Sequence, residues 1–200
     1  MDHLLIKLST NISNLLSQLV NLCEDEEKDT NNIFSVDLPS ISIHDYVQRL
    51  VDNLRCSQQC FVVAIAYILR IIKQNSNIFL TKYNIHRFLV TAVMSAAKFF
   101  DDQFYNNKFY ATVGGIPLEE MNKLELEFLF LIDFQLVISR EEFTKIFRGI
   151  LAFENKQTTP KQPFPSRKRK NENIDVVVHQ KNIQENIYSS HFQTKQICLK

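Results

Sequence analysis

Between Pro39 and Gly114 the chain contains neither a glycine nor a proline. A sheet protein turns about every 8–12 residues and usually marks those turns with such residues. Helices joined by short polar connectors have no such need, so this stretch points to an all-α fold. Apolar residues make up 45% of the 200, enough for one core, and sixteen Phe with no Trp supply much of its bulk. That length suits one domain with tails.

Hydrophobic spacing divides the chain into three parts. In residues 1–39, Leu5, Leu8, Ile12, Leu15, Leu19 and Leu22 recur at helical spacing, with Leu4 and Leu16 widening the stripe. Asp2 is a candidate cap. The stripe is short for a coiled coil and better suited to docking on the main domain or on a partner. The acidic, Asn-rich residues 24–39 then read as a flexible linker.

Residues 40–150 carry the main helical pattern. A first helix spans Ile43 to Arg55, with Ser42 as its cap and Tyr46, Val47, Leu50 and Leu54 on one face. Ser57 opens a second, running to about Gln74. Its unbroken apolar run is too long for an ordinary strand and fits a helix surrounded by others. Asn84 is expected to cap a third helix, from Ile85 to about Phe100. Its Ala92, Ser95, Ala96 and Ala97 allow close approach by neighbours. Phe109–Val113 form a short fourth helix ended by Gly114-Gly115, where one Gly can adopt the left-handed conformation. Pro117 starts a fifth, to about Asp133, with Glu119 and Glu120 suited to its first turn. Ser139 caps a last helix bearing Phe143, Ile146, Phe147 and Ile150. Residues 151–200 form a basic, mostly disordered tail.

Charge and motif content narrow the function. Lys156 to Lys200 hold nine Lys/Arg and three Asp/Glu, +6, so a net +1 leaves about −5 on the rest. A folded part of that sign is a poor nucleic-acid surface. Cys23, Cys56, Cys60 and Cys198 lack zinc-site spacing, so free thiols in a reducing compartment are expected. Lys7, Thr10 and Asn11 interrupt any secretory apolar segment, and the Cys60–Leu69 run is too short to span a bilayer. A location in the cytoplasm or nucleus is therefore expected, with no membrane partner. Asp101-Asp102 lack a partner His or a metal pattern, and Gly114-Gly115 lack the spacing and Lys of a phosphate loop. No catalytic constellation, metal site or cofactor is expected.

The stretch from His86 through Ala96-Ala97-Lys98-Phe99-Phe100-Asp101-Asp102 closely resembles the third box helix of P/U-type cyclins, the single-box cyclins similar to the yeast phosphate-response cyclin. Tyr105-Asn106-Asn107, Tyr110-Ala111-Thr112-Val113-Gly114-Gly115-Ile116 and Glu120-Met121-Asn122-Lys123-Leu124-Glu125 continue the match in order. Tyr67-Ile68-Leu69-Arg70-Ile71 looks like the family's second-helix signature. The resemblance covers roughly residues 40–150. It implies a single five-helix cyclin box, here with an extra N-terminal helix, a C-terminal helix and a disordered tail.

The resemblance also implies a non-catalytic subunit that forms a heterodimer with a cyclin-dependent serine/threonine kinase, activates it and influences its choice of substrate. Lys98 and Glu125 would be the paired charges that bond main-chain groups at the start of the kinase's C-helix. Phe99, Leu129, Phe134 and Leu136 match apolar contact positions around them, although core packing is a competing role. Phosphate signalling and cell-cycle progression both suit this group. The cluster Arg167, Lys168, Arg169, Lys170 fits either a nuclear import signal or a merely solvated tail. The alternative to a kinase regulator is a cyclin-fold scaffold, or a transcription-factor-like protein associated with nucleic acid.

Overall fold

The computed structural model describes residues 3–23, 29 and 32–153. Among them the chain forms α1 (His3–Asn21), α2 (Ile43–Asn53), α3 (Gln58–Gln74), α4 (Ile85–Phe100), α5 (Asn107–Gly114), α6 (Leu118–Leu131) and α7 (Arg140–Ala152), and no strand. The all-α expectation and the cyclin-box helix order hold. Residues 1 and 2, and 154 onward, lie outside the described residues; so do the expected Asp2 cap, Cys198 and the Arg167–Lys170 cluster.

Helices α3 and α4 form the centre and share the most extensive helix contact. Every residue from Cys60 to Leu69 is buried, as an apolar run with no polar face requires. The small Ala92, Ser95 and Ala96 of α4 are buried as well. Helix α4 also touches α2, α5 and α6, while α3 reaches α7.

Local chemistry sets the helix ends. The Ser42 hydroxyl accepts from the Asp45 N–H at 3.1 Å, and that of Ser139 from the Glu142 N–H at 3.1 Å. Gly115 ends α5 at φ 73°, where a side chain would strain the backbone. Two other helix starts work differently. Ser57 Oγ donates to Asp101 Oδ1 at 2.6 Å while Asp101 Oδ2 accepts from the Ser57 N–H at 2.9 Å, so a carboxylate after α4 closes the start of α3. Asn84 does not cap α4; its side chain bonds Thr81 N and Phe79 O and holds the preceding turn.

Helix α1 docks on α2 and α7, burying Leu8, Ile12, Leu15, Leu16 and Leu19. Asn11 Nδ2 donates to the Ile150 and Leu151 carbonyls at 2.9 and 3.3 Å, satisfying acceptors that the end of α7 leaves open. The flexible linker expected over 24–39 is not a free tether in its second half. Phe34 is fully buried and stacks on Phe88 at 4.0 Å, and the Val36 N–H bonds the Tyr83 carbonyl at 3.0 Å. A single aromatic anchor was enough to dock a segment whose composition reads as polar.

Candidate functional site

Lys98 lies in the last turn of α4 and Glu125 midway along α6. The crossing of these helices brings them together: Lys98 Nζ donates to Glu125 Oε1 at 2.6 Å. Asn107, the first residue of α5, completes the arrangement. Its Nδ2 donates to Glu125 Oε2 at 2.7 Å and to Asn122 Oδ1 at 2.8 Å. The carboxylate is thus held on both oxygens, and charge-assisted bonds of this kind orient groups well. The Lys98 and Glu125 side chains remain 27% and 21% exposed, so the pair keeps an open side toward solvent.

Exposed apolar side chains follow the pair along the chain. Phe99 and Phe100 follow Lys98, meet edge to face at 5.0 Å and are both exposed; Phe104 and Tyr105 of the next connector are exposed too. Leu129 is half-buried, one helical turn beyond Glu125 on the same face of α6. Phe130 is exposed and lies against Phe134, their rings 5.4 Å apart. Solvent-facing aromatic groups in this number mark an interaction surface more often than a bare one.

The turn after α6 departs from the helix expected to reach Asp133. Helix α6 stops at Leu131, and Asp133 and Phe134 both adopt left-handed conformations, at φ 53° and 54°. The Phe134 N–H bonds the Leu129 carbonyl and the Asp133 N–H the Phe130 carbonyl, a Schellman closure in which an aspartate stands where glycine is usual. Phe134 is thereby turned outward, 56% exposed, while Leu136 packs half-buried against the core. Core packing was the competing role for these apolar positions, and Leu136 takes it in part.

Helix α3 lies behind this turn. Tyr67 Oη donates to the Leu136 carbonyl at 2.7 Å. Arg70 donates to the carbonyls of Gln135 and Val137 and holds the Glu142 carboxylate at 3.0 and 3.1 Å. Asn75 Nδ2 reaches the Leu131 carbonyl at 3.0 Å. Burial pushes the Tyr67 phenol well above its ordinary pKa, so it remains a neutral donor. Beside the turn opens a groove of about 690 Å³, with Arg70, Lys73, Phe134 and Val137 among its walls.

The structure therefore pairs Lys98 with Glu125; Phe99 directly follows Lys98, Leu129 lies one turn beyond Glu125, and Phe134 stands in the turn after α6 with its N–H on the Leu129 carbonyl. Sequence reasoning missed Asn107 and Arg70, although both lie in stretches that carry the family resemblance. It also missed the turn, whose only local sign is an aspartate, a residue tolerant of the left-handed region, where the apolar helix runs out. Among the described residues no group of three or more His, Cys, Asp or Glu could hold a metal ion. No helix there is long and apolar enough to cross a membrane.

The cyclin family model matches residues 7–136, a span that includes most of α1. Cyclin-U4-1 of Arabidopsis thaliana is 39% identical over 155 residues, covering 74% of this chain and 75% of that relative. Cyclin-P3-1 of Oryza sativa subsp. japonica is 45% identical over 117 residues, 58% of this chain and 49% of the relative. The PHO85 cyclin-like protein psl1 of Schizosaccharomyces pombe is 38% identical over 153 residues, 68% and 63% of the two. The chain thus spans between half and three-quarters of the length of these curated relatives.

Proposed function

The chain belongs to the cyclin family, among its P/U-type members, and from that premise we propose that it is the regulatory subunit of a cyclin-dependent protein kinase. One of its relatives is named a PHO85 cyclin-like protein, which supports the regulatory role of a cyclin for this chain. The observation that carries the reading is the Lys98–Glu125 pair, held at 2.6 Å with an open side, with the exposed Phe99 next to Lys98 in the chain.

The chemistry follows from this geometry. An oriented ammonium and carboxylate offer a donor and an acceptor to main-chain groups of a partner helix. The surrounding Phe99, Leu129 and Phe134 supply apolar area that excludes water around them. An active kinase needs its C-helix placed so that the helix's Glu pairs with the ATP-binding Lys. A rigid surface that binds only this inward conformation shifts the kinase population toward it. The chain then acts by binding and contributes no group to phosphoryl transfer. A heterodimer in the cytoplasm or nucleus, with Leu136 supporting the contact from behind, completes the reading.

The test is recovery of partners from the source cells with the full chain as bait, comparing wild type with Lys98→Ala/Glu125→Ala. A cyclin-dependent kinase retained by wild type and lost from the double variant supports both function and interface. Equal recovery by both leaves the class and removes the site. No kinase with well-folded wild type overturns the reading and favours a scaffold or nucleic-acid-associated cyclin fold.

A further inference from the structure

The turn from Ile132 to Ile138 holds the only non-glycine residues with positive φ among the described residues, and α3 side chains bond three of its carbonyls. Asp133 and Phe134 are consecutive non-glycine residues with positive φ. Such conformations persist only where the surroundings over-determine them. Here three successive carbonyls, those of Gln135, Leu136 and Val137, each accept from an α3 side chain. Exposed carbonyls can be left to water, yet all three of this segment are bonded by side chains of one helix.

We propose that Tyr67 and Arg70 are positioning residues: through the carbonyls of Gln135, Leu136 and Val137 they hold the turn that presents Phe134 to the kinase. The role of the turn in binding rests on the function proposed above; the holding of the turn does not. Neither side chain is placed to be a major contact itself. Tyr67 is fully buried with its ring tilted against Phe128, centroids 6.3 Å apart, so the core aims its hydroxyl. The Arg70 side chain is only 14% exposed. Its guanidinium is locked by the carboxylate of Glu142 in the first turn of α7, and a planar fork of donors can serve carboxylate and carbonyls together. Tyr67 and Arg70 sit one turn apart on α3 and face the same way. The Tyr67–Arg70 part of the second-helix signature thereby gains a role: it couples the buried helix to the exposed turn.

Two variants of the full chain separate this from a general contribution to folding. Tyr67→Phe keeps the ring and removes only the donor to Leu136. Arg70→Glu/Glu142→Arg restores an ion pair between α3 and α7 but turns a carboxylate toward carbonyl oxygens. The readouts are hydrogen exchange of the free chain and titration with the purified cyclin-dependent kinase that wild type recovers. The amides of Phe134, Gln135 and Leu136 are bonded to the Leu129, Ile132 and Phe134 carbonyls and so report on the turn. Both variants are expected to exchange faster there, while α4 and α6 stay protected. Tyr67→Phe is expected to bind the kinase about fivefold more weakly, the effect of one neutral hydrogen bond. In a Phe134→Ala background it should cost no further affinity.

Unchanged exchange in both variants overturns the holding role, whatever the kinase does. Faster exchange with unchanged affinity overturns the link from turn to binding, as does an equal loss in the Phe134→Ala background. If wild type binds no kinase, the regulatory reading fails, and exchange alone decides whether α3 sets the turn.

Discussion

Replacing Glu125 by Gln removes a charge while keeping shape, and the structure separates its two consequences. In the free chain the Lys98 and Glu125 side chains are 27% and 21% exposed. Pairs that reach solvent contribute about 0–1 kcal/mol. A Gln amide has a single acceptor oxygen, so it keeps only one of the two bonds, from Lys98 or from Asn107, in weakened, neutral form. The expected loss of stability is about 1 kcal/mol, a fall in Tm of about 2–4 °C for a domain of this size. If the partner covers this pair, as in the interface proposed above, Lys98 in the variant loses its counter-charge away from water. Removing one member of a buried, hydrogen-bonded charge pair costs about 2–5 kcal/mol. That corresponds to a Kd raised about 30-fold to several-thousand-fold. Thermal melts followed by circular dichroism and calorimetric titration with the kinase measure the two effects. Increased salt should leave the affinity ratio largely intact, because covered pairs are poorly screened. A Kd change below about fivefold would show that the pair is not covered by the partner. A Tm loss well above 4 °C would show that it is a structural strut instead.

Three further outcomes are expected. Phe34→Ala empties a fully buried site stacked on Phe88, which should cost about 3–5 kcal/mol and lower Tm by about 10 °C; a negligible change in a melt would show that residues 32–38 do not dock. Thr91 Oγ1 is buried without a hydrogen-bond partner among the described residues, so the near-isosteric Thr91→Val should stabilise the fold by about 1 kcal/mol, read as a higher urea midpoint at constant slope. Burial lowers the pKa of His86 from its ordinary 6.5, its ring edge-on to Tyr46 and close to the Arg87 charge. Below that ordinary value the unfolded chain takes up a proton that the folded one resists. Stability is therefore complete above about pH 6.5 and falls as pH drops. His86→Gln should flatten the decline that sets in below about pH 6.5 in urea titrations.

Much of this molecule is legible without coordinates because its signals are local. The missing Gly and Pro, the apolar run at Cys60–Leu69 and the hydroxyls of Ser42 and Ser139 act within a turn or two of chain, so helix order and two caps could be read directly. Phe34 shows where that ends: one aromatic in a polar stretch gives no periodicity, and only Phe88 waiting across the fold makes it core. Asn84 fails as a simple cap for the same reason, since its side chain turns back to the preceding loop, and the start of α3 is closed by Asp101, 44 residues from Ser57.

The all-α class and the family could be read from the chain alone, and Lys98 and Glu125 picked out as candidates, because spacing, composition and an ordered motif are properties of the chain in one dimension. Tertiary structure alone decided that Lys98 and Glu125 share a bond, that Asn107 steadies the carboxylate, and that α3 grips the turn bearing Phe134. Those pairings join residues far apart in sequence, and their energies depend on distance, direction and the exclusion of water, none of which exists until the helices have crossed.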